Sequence, residues 1–173
     1  MRGLYIGRFQ PYHLGHQAVL ERIAEEMDEI VVVIGSAQES HTIDNPFTAG
    51  ERMDMIYGAL GKLRGKCMVI PLQDINRNAI WVSHLRSMVP SFQVVYSNNP
   101  LVVQLISEAG IEIRKPSMYQ RHLYSGTAIR KFMREGKDWK SLVPASVAAM
   151  IEAVRGVERL SSVSGNDASL DRY

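Results

Sequence analysis

Short runs of β-branched and other apolar residues alternate along this chain with segments of helical period, and this alternation restricts the fold more than any other feature. The runs that predict strands are residues 2–7, 30–35, 66–72, 93–96 and 111–113. Strands separated by helices form βαβ units, and such units build a parallel sheet with helices on its faces. We therefore expect an α/β protein.

Helical segments fill the gaps between the predicted strands, at residues 15–27, 48–61, 78–89 and 101–109. Thr48 and Glu51 form a capping-box pattern at the start of the second of these helices. The arrangement predicts a Rossmann-like, doubly wound parallel sheet of about five strands with helices on both faces.

Two further helices, 125–135 and 145–154, follow one another after the fifth strand and predict a helical cap at the C-terminal end of the fold. The length of 173 residues fits one domain, which we place at residues 1–160. Residues 161–173 are rich in serine, aspartate and glycine and poor in apolar residues. We expect a disordered tail there.

The composition excludes several classes of protein. Twenty lysine and arginine residues against eighteen aspartate and glutamate residues leave a net charge of +2, too balanced for a nucleic-acid-binding surface. The longest apolar run, residues 30–34, is far shorter than the roughly 20 residues that cross a bilayer. Cys67 is the single cysteine, in an apolar run, which predicts a buried reduced thiol. With no signal-peptide pattern, we expect a cytoplasmic protein without nucleic-acid or membrane partners.

The loop after the first predicted strand carries an unusual set of polar residues. It contains Arg8, His13 and His16 and leads directly into the first helix. His16 lies four and seven positions before Leu20 and Ile23, and therefore on the helix face that packs against the sheet. The amides and the positive dipole end of a helix N-terminus attract anions. Two imidazoles and a guanidinium add donors for phosphate oxygens.

Each of these residues also has an ordinary structural explanation. A histidine near an apolar face is commonly a core residue bonded to a backbone carbonyl, and an arginine is commonly a solvated charge. Their combination favours an anion site, because the helix dipole disfavours two histidinium ions unless an anion is present. Gly15, between the histidines, allows a ligand to approach the backbone closely.

A second set of polar residues, in the segment 124–130, begins the helix after the fifth strand. Ser125 is a preferred N-cap residue, and Thr127 and Arg130 share one helix face. Helical side chains lean towards the N-terminus, so Arg130 reaches back over the turn whose amides are free. An amphipathic helix with a surface arginine is the plain alternative, but the first motif favours a second phosphate-binding corner.

Residues 13–16 resemble the His-x-Gly-His signature of the nucleotidyltransferase superfamily, which holds the triphosphate of a nucleoside triphosphate. Residues 125–130 resemble its Ser-x-Thr-x-x-Arg element, which contacts the β- and γ-phosphates from the opposite side. Further loops match at residues 35–41, 45–52, 74–81 and 96–100. With these, the chain from residue 1 to about 160 closely resembles the archaeal type of nicotinamide-nucleotide adenylyltransferase.

The resemblance implies transfer of AMP from ATP to nicotinamide mononucleotide (NMN), which forms NAD and pyrophosphate. The residues implied for catalysis are Arg8, His13, His16 and Arg130. Those implied for ATP binding are Gly7, Arg8, Phe9, His13, Gly15, His16, Asn98, Pro100, Tyr124, Ser125, Thr127 and Arg130. Those implied for NMN binding are Ser36, Asp74, Asn78 and Trp81. It also implies Mg²⁺ bound mainly through the ATP phosphates, with no protein ligand named, and a homo-oligomer such as a hexamer.

The implied NMN site has competing structural explanations. An indole near a carboxylate suits the cationic nicotinamide ring, which favours Trp81 and Asp74 as ligand contacts. Trp81 also forms a helical stripe with Leu85 and Met88, which is typical of a core position. Asp74 is equally suited to capping a helix or to an exposed loop.

Two positions depart from the family pattern. Relatives often carry glycine where Asn98 stands, and we expect the turn to be kept because asparagine tolerates the left-handed backbone conformation. Some relatives carry a phosphate-contacting arginine where Asp44 stands. That contact is then absent or supplied by another group, with Arg121 as the candidate.

The expected mechanism is in-line attack of the NMN 5′-phosphate on the α-phosphorus of ATP, without a covalent intermediate. The attacking oxygen is already anionic, so the protein needs only to position two polyanions and stabilise the departing pyrophosphate. A pantetheine-phosphate adenylyltransferase, a cytidylyltransferase and a module that binds ATP or NAD without turnover are the alternatives. The short chain disfavours a class I synthetase. The choice between nicotinamide and nicotinate mononucleotide stays open.

Overall fold

The computed structural model describes residues 1–117 and 122–165, which contain one five-stranded sheet in the order β3-β2-β1-β4-β5. The strands are β1 (Arg2–Gly7), β2 (Glu29–Ile34), β3 (Cys67–Pro71), β4 (Val94–Tyr96) and β5 (Glu112–Arg114). All neighbouring strands are parallel. The predicted doubly wound sheet is therefore confirmed.

The α-helices of the described residues are α1 (Leu14–Glu26), α2 (Ala49–Ala59), α3 (Trp81–Met88), α4 (Pro100–Glu108), α5 (Gly126–Arg134), α6 (Ala145–Ala153) and α7 (Gly156–Val163). Short 3₁₀ turns occupy Gly61–Leu63, Asn78–Ile80 and Lys140–Leu142. The predicted Thr48–Glu51 capping box is present at the start of α2. Within these residues, no helix combines the length and the apolar character needed to span a membrane.

Alternate residues of the central strands point to opposite faces of the sheet. Tyr5 and Val32 belong to one buried cluster, together with residues of α1, α2, α5, α6 and α7. Leu4 and Val31 belong to a second buried cluster, together with residues of α3 and α4. Helices therefore cover both faces, and β1 and β2 are buried on both sides.

The C-terminal helices pack beside α2 and α5. Arg159 on α7 forms two bonds with the Glu51 carboxylate, at 2.7 and 2.8 Å, and donates to the carbonyl of Pro46 at 3.0 Å. The structure extends α7 through Val163, so residues 161–163 of the predicted tail are helical. Residues 166–173 lie outside the described part of the chain, and the tail stays a prediction there.

The strand order reverses between β1 and β4, which lie side by side at the centre of the sheet. Connections that leave two neighbouring parallel strands in opposite directions open a crevice at the carboxyl ends of those strands, where α/β proteins bind ligands. The loop after β1 leads into α1, and the loop after β4 leads into α4. The fold thus places the first predicted phosphate motif at this crevice.

Candidate active site

Two adjacent cavities lie at this crevice. The larger cavity, of about 380 Å³, has a lining that includes Arg8, Ser36, Asp74, Asn78 and Trp81. The smaller cavity, of about 140 Å³, has a lining that includes Gly15, His16, Asn98 and Pro116. Gly7, Ser97 and Asn99 line both cavities, which therefore share a wall. The four residues predicted for NMN meet in the larger cavity, and the smaller one begins at the His-x-Gly-His motif.

His13 and His16 cap the first turn of α1 by a reciprocal pair of hydrogen bonds. The His16 amide donates to His13 Nδ1 at 3.2 Å, and the His13 amide donates to His16 Nδ1 at 3.3 Å. The two rings stack with their centroids 3.5 Å apart. This is a capping box in which imidazoles replace the usual hydroxyl and carboxylate.

The surroundings keep both imidazoles neutral. Burial lowers the pKa of His13 to about 4. Burial and the neighbouring His13 lower the pKa of His16 well below its usual range. A neutral imidazole whose Nδ1 accepts a hydrogen bond carries its proton on Nε2. Each ring is therefore fixed as an Nε2–H donor and carries no positive charge that the positive end of the helix dipole would repel.

Phe9 and Gly15 support this histidine pair through packing. Phe9 is 1% exposed, and its ring meets the His16 ring edge-on at a centroid distance of 4.8 Å. Its side chain is part of the core, so only its backbone is available for the ATP contact that the resemblance implies. A Cβ at Gly15 would lie 2.9 Å from Tyr124 Cβ and 3.0 Å from the His13 ring. Glycine is thus required here by close packing between α1 and the segment before α5.

Arg130 on α5 is buried and points towards the loop after β1. Its Nη1 donates to the carbonyl of Gln10 at 2.8 Å, and its Nη2 lies 3.3 Å from Asp44 Oδ1. Burial lowers the pKa of the Arg130 guanidinium, while the Asp44 carboxylate opposes that shift. A Cβ at Gly126 would lie 2.8 Å from Arg130 Nη1, because the guanidinium folds back over the start of its own helix as predicted.

Asp44 is the position where some relatives carry arginine, and here it forms an ion pair with Arg130. Its side chain is 75% exposed, whereas that of Arg130 is 5% exposed. The neighbouring Asn45 accepts a long hydrogen bond from Arg8 Nη1 at 3.4 Å. The loop that follows β2 therefore contacts both predicted phosphate-binding arginines. Arg121, the predicted substitute, lies outside the described residues.

The remaining residues predicted for ATP take different positions. Ser125 caps α5, and its hydroxyl accepts from the Ala128 amide at 3.2 Å, as predicted. Thr127 is exposed, although it lies one turn before the buried Arg130. Asn98 does not adopt the left-handed conformation expected for it; its amide instead donates to the Pro116 carbonyl at 2.8 Å. Pro100 opens α4 behind the N-cap Asn99.

In the larger cavity, Asp74 is held in place by hydrogen bonds with Gln38. The Gln38 amide nitrogen donates to the Asp74 carboxylate at 3.2 Å, and the Asp74 backbone amide donates to the Gln38 side-chain oxygen at 3.0 Å. Trp81 lines the cavity and also packs against the core cluster of α3 and α4. Met88, predicted to share its buried stripe, is 51% exposed. Trp81 thus forms part of the cavity wall and also packs against the hydrophobic core.

Arg52, for which the sequence predicts no role, lies beneath the site. It is fully buried, and its guanidinium donates to backbone carbonyls of the loops after β1 and β2. The capping box at Thr48 indicated a helix here, but an arginine in the first turn of a helix is normally exposed. Only the structure shows that these loops close over it.

Comparison with known proteins identifies the family of this chain. Residues 4–132 match the model of the cytidylyltransferase-like family. The nicotinamide-nucleotide adenylyltransferase of Methanothrix thermoacetophila is 63% identical to this chain over 96% of it and 98% of the relative. That of Haloarcula marismortui is 56% identical over 100% of this chain and 92% of the relative.

Solved structures share the fold at low identity. A bifunctional NMN adenylyltransferase/ADP ribose pyrophosphatase from Francisella tularensis, complexed with AMP and a manganese ion, superposes with a TM-score of 0.78 at 19% identity. The match covers 93% of this chain and 52% of that longer one, so this chain spans about half of that protein. The Plasmodium falciparum nicotinic acid mononucleotide adenylyltransferase superposes with a TM-score of 0.65 at 14% identity, over 91% of this chain and 96% of that one.

The fold, the paired cavities and the family match define a nucleotidyltransferase. More than half of the sequence is identical to that of relatives matched along nearly their whole length. The chain belongs to the nicotinamide-nucleotide adenylyltransferase family, which confirms the resemblance found in its motifs.

Proposed function

We propose that this chain transfers AMP from ATP to NMN in its two joined cavities and releases NAD and pyrophosphate. The observation that carries the proposal is the wall that the cavities share at Gly7, Ser97 and Asn99. A nucleotide whose phosphates meet the histidine pair on one side of this wall has its α-phosphorus close to a mononucleotide on the other. The larger cavity supplies Trp81 and Asp74 for the cationic nicotinamide ring.

The reaction requires no general base from the protein. An NMN phosphate oxygen attacks the α-phosphorus in line, a P–O bond forms, and the bond to the β-phosphate oxygen breaks as pyrophosphate leaves. The neutral Nε2–H groups of His13 and His16 and the cations Arg8 and Arg130 stabilise the charge that develops on pyrophosphate. Fixed donors of this kind favour the transition state because they need no reorganisation when the charge moves.

The phosphate side offers hydrogen-bond donors and cations, which suit a metal ion that arrives already bound to the nucleotide. Within residues 1–117 and 122–165, no group of three or more His, Cys, Asp or Glu side chains is arranged to hold a metal. Mg²⁺ keeps several water ligands and is commonly bound through substrate phosphates. We therefore assign it to the ATP phosphates, where it would neutralise part of their charge, and name no protein ligand. A cytoplasmic homo-oligomer, such as a hexamer, stays part of this proposal.

The test is an incubation of the purified protein with ATP, Mg²⁺ and NMN in which NAD and pyrophosphate are followed together. Nicotinate mononucleotide and 4′-phosphopantetheine are run in parallel as alternative acceptors. NAD and pyrophosphate in equal amounts are the expected result, and His16→Ala should lower their rate by about 10²-fold or more. Pyrophosphate formed only with phosphopantetheine would reject the assignment of the larger cavity. Tight ATP binding without turnover would identify a nucleotide sensor instead.

A further inference from the structure

Arg52 is a buried cation at the centre of a set of backbone carbonyls. Its side chain is 0% exposed. Its guanidinium donates to six carbonyls, at 2.9 to 3.4 Å. They belong to Arg8, Gly35, Ser36, Ala37, Glu39 and Thr48. One side chain therefore ties together the loop after β1, the loop after β2 and the first turn of α2.

This arrangement is unusual for a buried charge. Buried arginines ordinarily pair with a carboxylate, but every hydrogen bond of Arg52 in the described structure goes to a backbone carbonyl. Burial and the nearby Arg8 lower its pKa to about 10, so it stays charged at pH 7. Neutral carbonyls offset the desolvation of a guanidinium only in part. The nearby Glu51 carboxylate opposes this lowering of the pKa without a hydrogen bond to the guanidinium. The structure thus keeps a positive charge, with no carboxylate hydrogen-bonded to it in the described residues, beneath the site proposed for two polyanions.

The bonds of Arg52 also set the direction of the loop amides. In a trans peptide the C=O and the following N–H point in opposite directions. The carbonyls of Arg8 and Gly35 point to Arg52, so the amides of Phe9 and Ser36 point away from it. Both Phe9 and Ser36 have positive φ, of 53° and 48°, an unfavourable conformation for residues with side chains. Bonds to a single fixed guanidinium hold both loops in that conformation.

We propose that Arg52 is a positioning residue of the reaction, which presents the loops after β1 and β2 to the two substrates and adds a positive potential beneath their phosphates. The first loop carries Arg8, and the second carries Ser36, which lines the larger cavity. Because both loops depend on one side chain, Arg52 links the geometry of the ATP side to that of the NMN side. This inference rests on the proposed function.

The test compares Arg52→Lys and Arg52→Gln with the parent, at a temperature where circular dichroism shows each protein folded. Lysine keeps the charge but cannot reach six carbonyls, and glutamine removes the charge. We expect kcat/KM for both ATP and NMN to fall by about 10²-fold in Arg52→Lys, since small displacements of positioned groups have effects of that size. Because Arg52→Gln also removes the charge, we expect its KM for both substrates to be higher than that of Arg52→Lys.

Arg2→Lys is the matched control. Arg2 also donates to a backbone carbonyl, that of Ser91, and to Glu29, but it lies at the opposite end of β1. This variant should lose thermal stability and keep its kinetic constants. Folded Arg52→Lys and Arg52→Gln proteins with parental kinetic constants would overturn the proposal, and so would the failure of both to fold, since Arg52 would then serve the scaffold alone.

Binding of a non-hydrolysable ATP analogue separates this inference from the function on which it rests. If the parent forms no NAD, the proposed function fails. The analogue's Kd still tests Arg52: a Kd that rises at least about tenfold in folded Arg52→Lys supports positioning of the phosphate site, and an unchanged Kd overturns it.

Discussion

The backbone amides of His13 and His16 each donate to the Nδ1 atom of the other residue's ring. This relationship fixes the orientation of both rings and the tautomer of each, because an accepting Nδ1 leaves the proton on Nε2. The same bonds satisfy two amides at the start of α1 that otherwise lack helical partners. Helix capping therefore uses the Nδ1 edge of each ring and leaves the Nε2–H edge for the phosphate contact proposed above.

Replacement of His13 by asparagine separates these two roles. Asparagine is a favourable N-cap and can accept from the His16 amide, so we expect the free energy of unfolding to stay within about 1 kcal/mol of the parent. The lost Nε2–H should lower kcat/KM for ATP by about 10²-fold. Urea unfolding and NAD formation measure the two effects. Parental turnover in His13→Asn would remove this histidine from the phosphate site.

The buried imidazoles also predict sensitivity to acid. The pKa of His13 is about 4 in the folded state, against about 6.5 in an unfolded chain. Between these values the unfolded state binds more protons, so stability is complete above about pH 6.5 and decreases as the pH falls towards 4, by up to about 3 kcal/mol. Urea unfolding at pH 7 and pH 4.5 should show a smaller loss in His13→Asn than in the parent. Equal losses would contradict this account.

The Asp44–Arg130 ion pair predicts an effect on ATP affinity. The Asp44 carboxylate occupies a donor of Arg130 and adds a negative charge where phosphates are proposed to bind. Asp44→Asn should therefore lower KM for ATP by roughly 2- to 5-fold, the range of an exposed ion pair, with little change in kcat. Asp28→Asn removes the same charge at the opposite edge of the sheet and serves as the control. A raised KM for ATP would instead indicate that Asp44 assists the bound metal.

The close approach of Arg130 to its own helix predicts that Gly126 tolerates no side chain. A Cβ there would lie 2.8 Å from Arg130 Nη1 and 3.0 Å from the Gln10 carbonyl. Gly126→Ala should displace the guanidinium, cost about 1–3 kcal/mol of stability through overpacking, and reduce kcat/KM for ATP about tenfold or more. Gly58→Ala, inside α2 with only ordinary contacts, should gain about 0.5–1 kcal/mol and keep full activity. Steady-state kinetics give kcat/KM for ATP in both variants, and equal values would contradict the prediction.

The position of Trp81 predicts a selective effect on the acceptor. Trp81→Ala removes the indole face from the larger cavity and should raise KM for NMN about tenfold, which corresponds to a partly desolvated cation–π contact. KM for ATP should stay unchanged, and Trp81→Phe should be intermediate. Trp139→Phe, close to the C-terminal helices, is the control: it should lower the free energy of unfolding and leave both KM values unchanged. Equal increases in both KM values for Trp81→Ala would mean that the indole supports the scaffold and does not bind NMN.

Strands and helices followed from the sequence where one periodic signal dominated. The buried strands β1 and β2 and the capped helices α2 and α5 lie close to their predicted bounds. Where tertiary contacts override local pattern, the predictions were incomplete. The capping box at Thr48 predicts where α2 begins, but it gives no sign that Arg52 is buried, because the carbonyls that bind Arg52 come from distant loops.

In the candidate site, too, local geometry was predictable from the sequence and long-range contacts were not. Helix spacing placed Arg130 over the start of α5, since that geometry is local. Its pairing with Asp44 spans 86 positions and has no local signature. Helix α7 was not predicted because it is only eight residues long and carries little local signal. The salt bridge between Arg159 and Glu51 on α2, which contributes to its position, cannot be read from the local sequence.

The hydrogen bond from Arg130 to Gln10 joins residues 120 positions apart. On the ribosome, the histidine pair can form as soon as the first strand and helix have emerged. The guanidinium of Arg130 is added only when most of the domain has been synthesised, because contacts of high sequence separation form late. A nascent chain therefore carries half of the proposed phosphate site for most of its synthesis, and a chain terminated before α5 would keep the histidines but lack Arg130.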